Sequence, residues 1–239
     1  MRTKEYDFSV KYNRKSKRKK MSMRFLKNCL LILMFLFVIH FWVKTKSYIF
    51  DRESIVRIGK KYAGQDPQQA FQKITNHLQE RYPGHIQQKR TREWAMYKCS
   101  GQTLSISILH VSLTEYIVLT GSAINTDGYL GRHWLNSTFV VLSGSLKYWK
   151  EGTIEAIEYN TGDHFTVPLS ESTGFVALKE NTWVFEYGRG FLPMSLPSLI
   201  GDGLFTSFDV IGTFKILRLF AVAYFHELKS EIAAFIASI

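Results

Sequence analysis

The segment Phe25–Val43, FLKNCLLILMFLFVIHFWV, constrains this chain more than any other. It holds one cation, Lys27 near its start, and no acid. A helix of that length rises about 28 Å, close to the roughly 30 Å hydrocarbon core of a bilayer. Lys27 and Lys44 are placed to snorkel at its two ends, and Trp42 suits an interface. A cleaved signal peptide needs small residues after the apolar run, whereas Lys44-Thr45-Lys46 stands there. A buried core helix is a poor fit beside so many cations. We therefore expect a single N-terminal transmembrane helix over residues 25–43.

Charge sharpens this reading. The chain carries 31 Lys/Arg against 20 Asp/Glu, a formal net charge of +11. Residues 1–28 hold eleven of those cations and two acids, so the tail accounts for +9 and the remainder for +2. The high charge is thus a property of the tail, and the folded part has no reason to bind nucleic acid. The positive-inside rule makes residues 1–24 a basic cytosolic tail and places the body in a lumen. The block Arg14–Lys20 also fits a nuclear import signal or an anionic-lipid patch, although a solvated topogenic tail is the simpler reading.

The body reads as one domain with appendages. With 46% hydrophobic residues it is not a disordered chain. Cys29 and Cys99 are its two cysteines, which excludes a disulfide scaffold and a cysteine zinc cluster. Residues 44–93 form a helical connector. Ile55, Ile58, Tyr62 and Ala63 share one helical face, as do Ala70, Phe71, Ile74 and Leu78, and Gly64, Asp66 and Pro67 divide the two runs. From residue 94 to 190 the texture changes to short strands. They are predicted at 104–108, 116–120, 137–142, 146–149, 154–159, 164–167, 174–178 and 182–187. Asn125–Gly128, Ser143-Gly144 and Asn160–Asp163 read as turns between them. The density of strands argues for a closed barrel or jelly roll. Residues 191–239 return to helix, with Ser198–Phe205 and Thr213–Ile239 as two candidates. The second is so apolar that it needs the barrel on one side and a membrane surface or second subunit on the other. The fold class expected is α+β, mainly β.

The search for chemistry removes more than it adds. The histidines at 40, 77, 85, 110, 133, 164 and 226 include no pair spaced for one strand or helix face, so no metal and no cofactor are expected. There is no nucleophile elbow and no phosphate loop. One carboxylate stands out. In Thr182-Trp-Val-Phe-Glu-Tyr-Gly188, Glu186 shares a strand face with Val184, while Trp183, Phe185 and Tyr187 share the other. A carboxylate on an apolar strand must be exposed, paired or functional. Glu115 is similar, and reads best as a buried tie between strands. Asn136-Ser-Thr138 is a glycosylation sequon, but it lies in a predicted core strand.

At these residues the chain resembles a known family. His110–Tyr116, Gly131-Arg-His-Trp134, Ser143-Gly144, Trp149–Gly152 and above all Asn181–Gly190 are similar to the sigma-1 receptor and fungal sterol isomerase family. The resemblance runs from about Ser47 to the last helix. It implies a membrane anchor, a cupin-like β-barrel around a closed pocket, and two C-terminal helices against the membrane. It implies homotrimers in the endoplasmic reticulum that bind cationic amphiphiles and steroids, with membrane lipid as a further partner. Glu186 falls on the pocket carboxylate that pairs with a ligand ammonium, and Tyr116 on the tyrosine bonded to it. Trp183 matches an aromatic of the same strand, and Phe220 a pocket-lining tyrosine of the last helix. Phe139 stands where the receptor has a second acid. Asn136 and Ser137 stand where the fungal enzymes have theirs, and the receptor's pocket histidine and a tryptophan are replaced near Val167 and Leu178.

Shifting a ring double bond needs a proton delivered at one carbon and removed at another. With one pocket acid left, the expectation is a non-enzymatic receptor or chaperone that binds cationic amphiphiles, sterols or lipids through Glu186, Tyr116, Phe139, Trp183 and Phe220. The alternative is a sterol C8 isomerase with Glu186 as its catalytic acid.

Overall fold

In the computed structural model, residues 2–88, 92–169 and 174–237 are described. Helix α1 runs without a break from Arg2 to Thr45. The expected helix over 25–43 is therefore present, and it continues back through the basic tail. Lysine and arginine are good helix formers, and neither glycine nor proline interrupts the segment. Its part Met23–Thr45 has a mean hydropathy of 2.1 and is long and apolar enough to cross a membrane. Phe25, Leu30, Phe37 and Phe41 all point outward from it. Residues 1–47 form one unit and residues 48–239 a second.

The second unit begins with α2 (Arg52–Tyr62) and α3 (Pro67–Arg81). Asp51 caps α2 by accepting from the Ser54 amide at 2.9 Å, and Asp66 caps α3 by accepting from Gln69 at 3.1 Å. Between them Gly64 takes a φ of +78°, which a residue with a side chain adopts only under strain. This is the break that the sequence predicts.

Among the described residues ten strands follow, all paired antiparallel. They are β1 (Trp94–Cys99), β2 (Gln102–Val111), β3 (Glu115–Ser122), β4 (Thr126–Tyr129), β5 (Leu135–Ser143), β6 (Ser145–Lys150), β7 (Ile157–Asn160), β8 (His164–Val167), β9 (Gly174–Leu178) and β10 (Thr182–Gly190). One sheet has the order β1-β2-β3-β10-β5-β8 and the other β4-β9-β6-β7. The two pack face to face as a jelly roll: Leu104, Val141, Phe165 and Val184 of the first meet Leu146, Tyr148, Val176 and Leu178 of the second. The outer face of the larger sheet, with Leu119, Val140, Leu142 and Phe185, is covered by Ile55, Ile58, Ile74 and Leu78 of α2 and α3.

Two strands lie where the sequence pattern shows none. β1 is joined to β2 by Ser100 and Gly101, both at positive φ, as a tight primed hairpin turn requires. β4 takes in part of the Asn125–Gly128 segment read as a turn, because pairing with β9 overrides its weak strand propensity. β7 starts at Ile157 rather than 154, and Ile154 is 98% exposed.

After a 3₁₀ turn (Leu192–Ser195), α4 (Leu196–Gly201) and a single π turn (Asp202–Thr206) lead to α5 (Val210–Ala237). α5 docks on β1 and β2 through Ile216, Leu219 and Ala223, and Glu227 extends the same stripe. Ile211, Phe214, Phe225 and Ile232 lie exposed on other faces. Glu227 is buried within 2.8 Å of His85 Nδ1 and 3.4 Å of His110 Nδ1. The bond to Glu227 raises the pKa of His85, whereas burial pushes His110 down to about 4. Glu227→Ala should therefore loosen α5, at a cost of about 1–3 kcal/mol for the polar groups left without a partner. Faster amide exchange confined to Val210–Ala237 is the expected result; unchanged exchange would show that the apolar stripe alone holds the helix.

Candidate ligand-binding site

Strand alternation builds the site. On β10, Val184 and Glu186 point inward between the sheets. On β3, Tyr116, Val118 and Thr120 do so, and on β5, Ser137 and Phe139. Register places Glu186 across from Val118 on one side and Phe139 on the other, with Gly188 across from Tyr116 and Ser137. Apart from Gly188, these residues line a cavity of about 480 Å³, to which Leu217, Phe220 and Tyr224 of α5 add a further wall.

Gly188 has a specific task here. A Cβ at this position would run into the Tyr116 ring. The ring lies over the bare backbone, and from there the Tyr116 hydroxyl donates to Glu186 Oε1. The Tyr116 oxygen also lies 2.8 Å from Ser137 Oγ. Because Tyr116 has one proton and gives it to Glu186, Ser137 is the donor in that second bond. Gly188→Ala should push the ring away at a cost of about 1–3 kcal/mol and break its bond to Glu186. Loss of ligand binding with the fold retained by circular dichroism is the expected outcome; unchanged binding would show that Tyr116 can be moved without consequence.

The remaining accessible surface of Glu186 faces the cavity. Burial pushes its pKa up to about 7, and the bond from Tyr116 only partly opposes this. Tyr97 and Tyr116 are both raised well above the ordinary tyrosine value, chiefly by burial and then by neighbouring groups that include Glu186. Thr120, buried on the same wall, partly opposes the rise at Tyr97 through its side-chain hydroxyl. Beside the acid stands an aromatic wall. Phe139 stacks on Phe165 with ring centres 4.8 Å apart, and Phe165 in turn stacks on Tyr159 at 4.5 Å.

Four of the residues singled out from the sequence, Glu186, Tyr116, Phe139 and Phe220, meet at this cavity. Trp183 does not. It has the opposite strand parity to Glu186 and packs outside the sheet, with its ring 5.5 Å from Phe71 and 5.4 Å from Trp94. Val167 and Leu178 both line the cavity. His133 reaches it too, but its Nε2 is held by the Leu130 carbonyl. Tyr97, Thr120 and Phe165 are further lining residues that sequence reasoning missed. Tyr97 lies on the unforeseen β1, and nothing in a short strand such as β8 marks which face turns inward. Among the described residues no three His, Cys, Asp or Glu side chains converge to hold a metal ion.

Glu115 is the buried tie. It accepts from the amides of Ile49 at 2.8 Å and Phe50 at 3.2 Å, and from the Tyr187 hydroxyl at 2.9 Å. Asn136 lies within β5, its backbone in register with Arg189, and is half-buried.

A family model for "ERG2 and Sigma1 receptor like protein" matches residues 27–231. The sigma non-opioid intracellular receptor 1 of Danio rerio is 38% identical over 182 residues, which is 76% of this chain and 82% of that protein. That of Gallus gallus is 37% identical over 198 residues, 83% of this chain and 87% of that one. The protein erg2 homolog of Dictyostelium discoideum is 27% identical over 161 residues, 67% of this chain and 68% of its own. Among solved structures, an RmlC-like cupin from Shewanella frigidimarina is similar with a TM-score of 0.37 and 16% identity, over 45% of this chain and 90% of that one. The match along nearly the whole body and the identity to full-length relatives lead to one conclusion: the chain belongs to the ERG2 and sigma-1 receptor-like family.

Proposed function

We propose that this protein is a non-enzymatic receptor or chaperone of the sigma-1 type. It takes a cationic amphiphile, a sterol or another lipid into the cavity beneath α5. The observation that carries this reading is Glu186, one carboxylate held by Tyr116 in an otherwise largely apolar cavity. A ligand ammonium gains a charge-assisted bond there, and its carbon frame is buried against Phe139, Phe165, Leu178 and Phe220. On this reading α1 anchors the chain in the endoplasmic reticulum membrane with residues 1–24 in the cytosol, and the protein works as a homotrimer.

One observation favours the enzymatic alternative. A carboxyl group with a pKa near 7 is suited to give up and take back a proton at neutral pH, as a sterol C8 isomerase requires. Against it, the positions where relatives are expected to carry a second acid hold Asn136, Ser137 and Phe139. Two measurements test the proposal. Purified full-length protein should bind a labelled amphiphilic amine saturably, and a yeast strain lacking its sterol C8 isomerase should not regain ergosterol when given this chain. Restored ergosterol would establish the isomerase, and absence of saturable amine binding would remove the receptor reading.

A further inference from the structure

Outside the cavity, a second cleft gathers positive charge. Tyr48, Asp51, Arg81, Tyr82 and Arg189 line it, so it draws on the segment before α2, the end of α3, and β10. Arg189 stacks over the Tyr48 ring at 5.1 Å, and Arg81 over the Tyr82 ring at 5.8 Å. Arg81 also donates to Ser54 Oγ at 3.1 Å. Arg52, the first residue of α2, adds a third guanidinium within electrostatic reach of Arg189. Its Nε and Nη2 are buried and have no hydrogen-bond partner among the described residues.

The nearby carboxylates do not meet this need. Glu115 spends its oxygens on Ile49, Phe50 and Tyr187. Asp51 is the helix cap, accepting from the Ser54 amide. Buried guanidinium N–H groups without an acceptor are costly, and repulsion between Arg52 and Arg189 adds to the cost. An oxyanion between them would relieve both. Planar guanidiniums approaching from different elements suit a tetrahedral anion, which presents acceptors in several directions.

We propose that Arg52, Arg81 and Arg189 form a binding site for a phosphate group, separate from the cavity that holds Glu186. Two sources share that chemistry, free phosphate and the headgroup of an anionic lipid.

The test uses full-length protein in a nonionic detergent and in phosphatidylcholine nanodiscs with or without phosphatidic acid. The readouts are the thermal midpoint and phosphorus-31 linewidth, with inorganic phosphate titrated at constant ionic strength. A saturable response to phosphate in detergent, weakened at least tenfold in both Arg52→Gln and Arg189→Gln and kept in the exposed Lys179→Gln, is the expected result for free phosphate. A rise in midpoint only with phosphatidic acid, lost in the same two variants, assigns the site to a lipid headgroup. A response that does not saturate, or one equal in all variants, overturns the proposal. If Arg52→Gln fails to fold by circular dichroism, Arg189→Gln and the linewidth titration of the unmodified protein decide the outcome alone.

Discussion

Glu186→Gln should lower the affinity of full-length protein for an amphiphilic amine by about ten- to a hundredfold. That factor corresponds to roughly 1.5–3 kcal/mol, the scale of a hydrogen bond to a charged group. The substitution keeps the shape of the side chain and deletes its charge. Among the described residues no other carboxylate lines the cavity to take over, and Phe139 stands directly across the strand from Glu186. A neutral steroid of similar size should lose much less, since its burial against the apolar wall is untouched. The pH dependence has a definite sign. In the ligand-free protein the carboxyl pKa is pushed up to about 7. A bound ammonium favours the ionised form and lowers that pKa, so binding expels a proton. Amine affinity should be greatest above pH 7. It should fall, by at most about tenfold per pH unit, as pH drops from 7 towards the lower pKa of the complex. The Gln variant should show no such slope. Radioligand binding between pH 5.5 and 8.5 measures both effects. An unchanged affinity in Glu186→Gln, or a flat profile in the unmodified protein, would separate amine binding from this carboxylate.

Glu186 was legible in the sequence because two regularities coincide on β10. Alternation alone puts Val184 and Glu186 on one face and Trp183, Phe185 and Tyr187 on the other, and the structure keeps that division. The same parity argument excludes Trp183 from the cavity, and it outweighs the likeness that had grouped Trp183 with the site. The break at Gly64–Pro67 was legible for a similar reason, as local backbone chemistry decides it. What sequence could not supply comes from long-range pairing. β4, reading TDGY, has little strand propensity of its own and forms because β9 offers it a partner. With β1 unforeseen, Tyr97 and its place near Glu186 were also out of sight. The Arg52 and Arg189 pair joins positions more than a hundred residues apart in sequence, and no local pattern announces such a meeting.

Glu115→Ala should be the most damaging single substitution for stability, at roughly 3–5 kcal/mol. The side chain is fully buried, and its two oxygens serve three donors, the amides of Ile49 and Phe50 and the hydroxyl of Tyr187. Removing it leaves those groups in a site that water does not reach, and each unsatisfied buried donor costs about 1–3 kcal/mol. The contributions are not additive, because Tyr187 can still donate to the Phe50 carbonyl at 3.0 Å. Phe50 is itself almost wholly buried, in ring contact with Tyr82, His110 and Tyr187, so losing the tie frees an anchor of the core beneath α2 and α3. Since a domain of this size has a net stability of only about 5–15 kcal/mol, such a loss should be visible as partial unfolding at physiological temperature. Glu115→Gln keeps one acceptor oxygen and turns an NH₂ towards groups that are themselves donors, so it should fall between the unmodified protein and the Ala variant. The exposed Glu53→Gln is the control for loss of an acid alone. Urea or thermal melts in detergent give the ranking. Glu115 does not line the cavity, so the molecules that remain folded should keep their amine affinity. A Glu115→Ala protein that melts with the control would show that the Ile49–Phe50 segment is held by its apolar packing, and that the three donors find other acceptors when the carboxylate is gone.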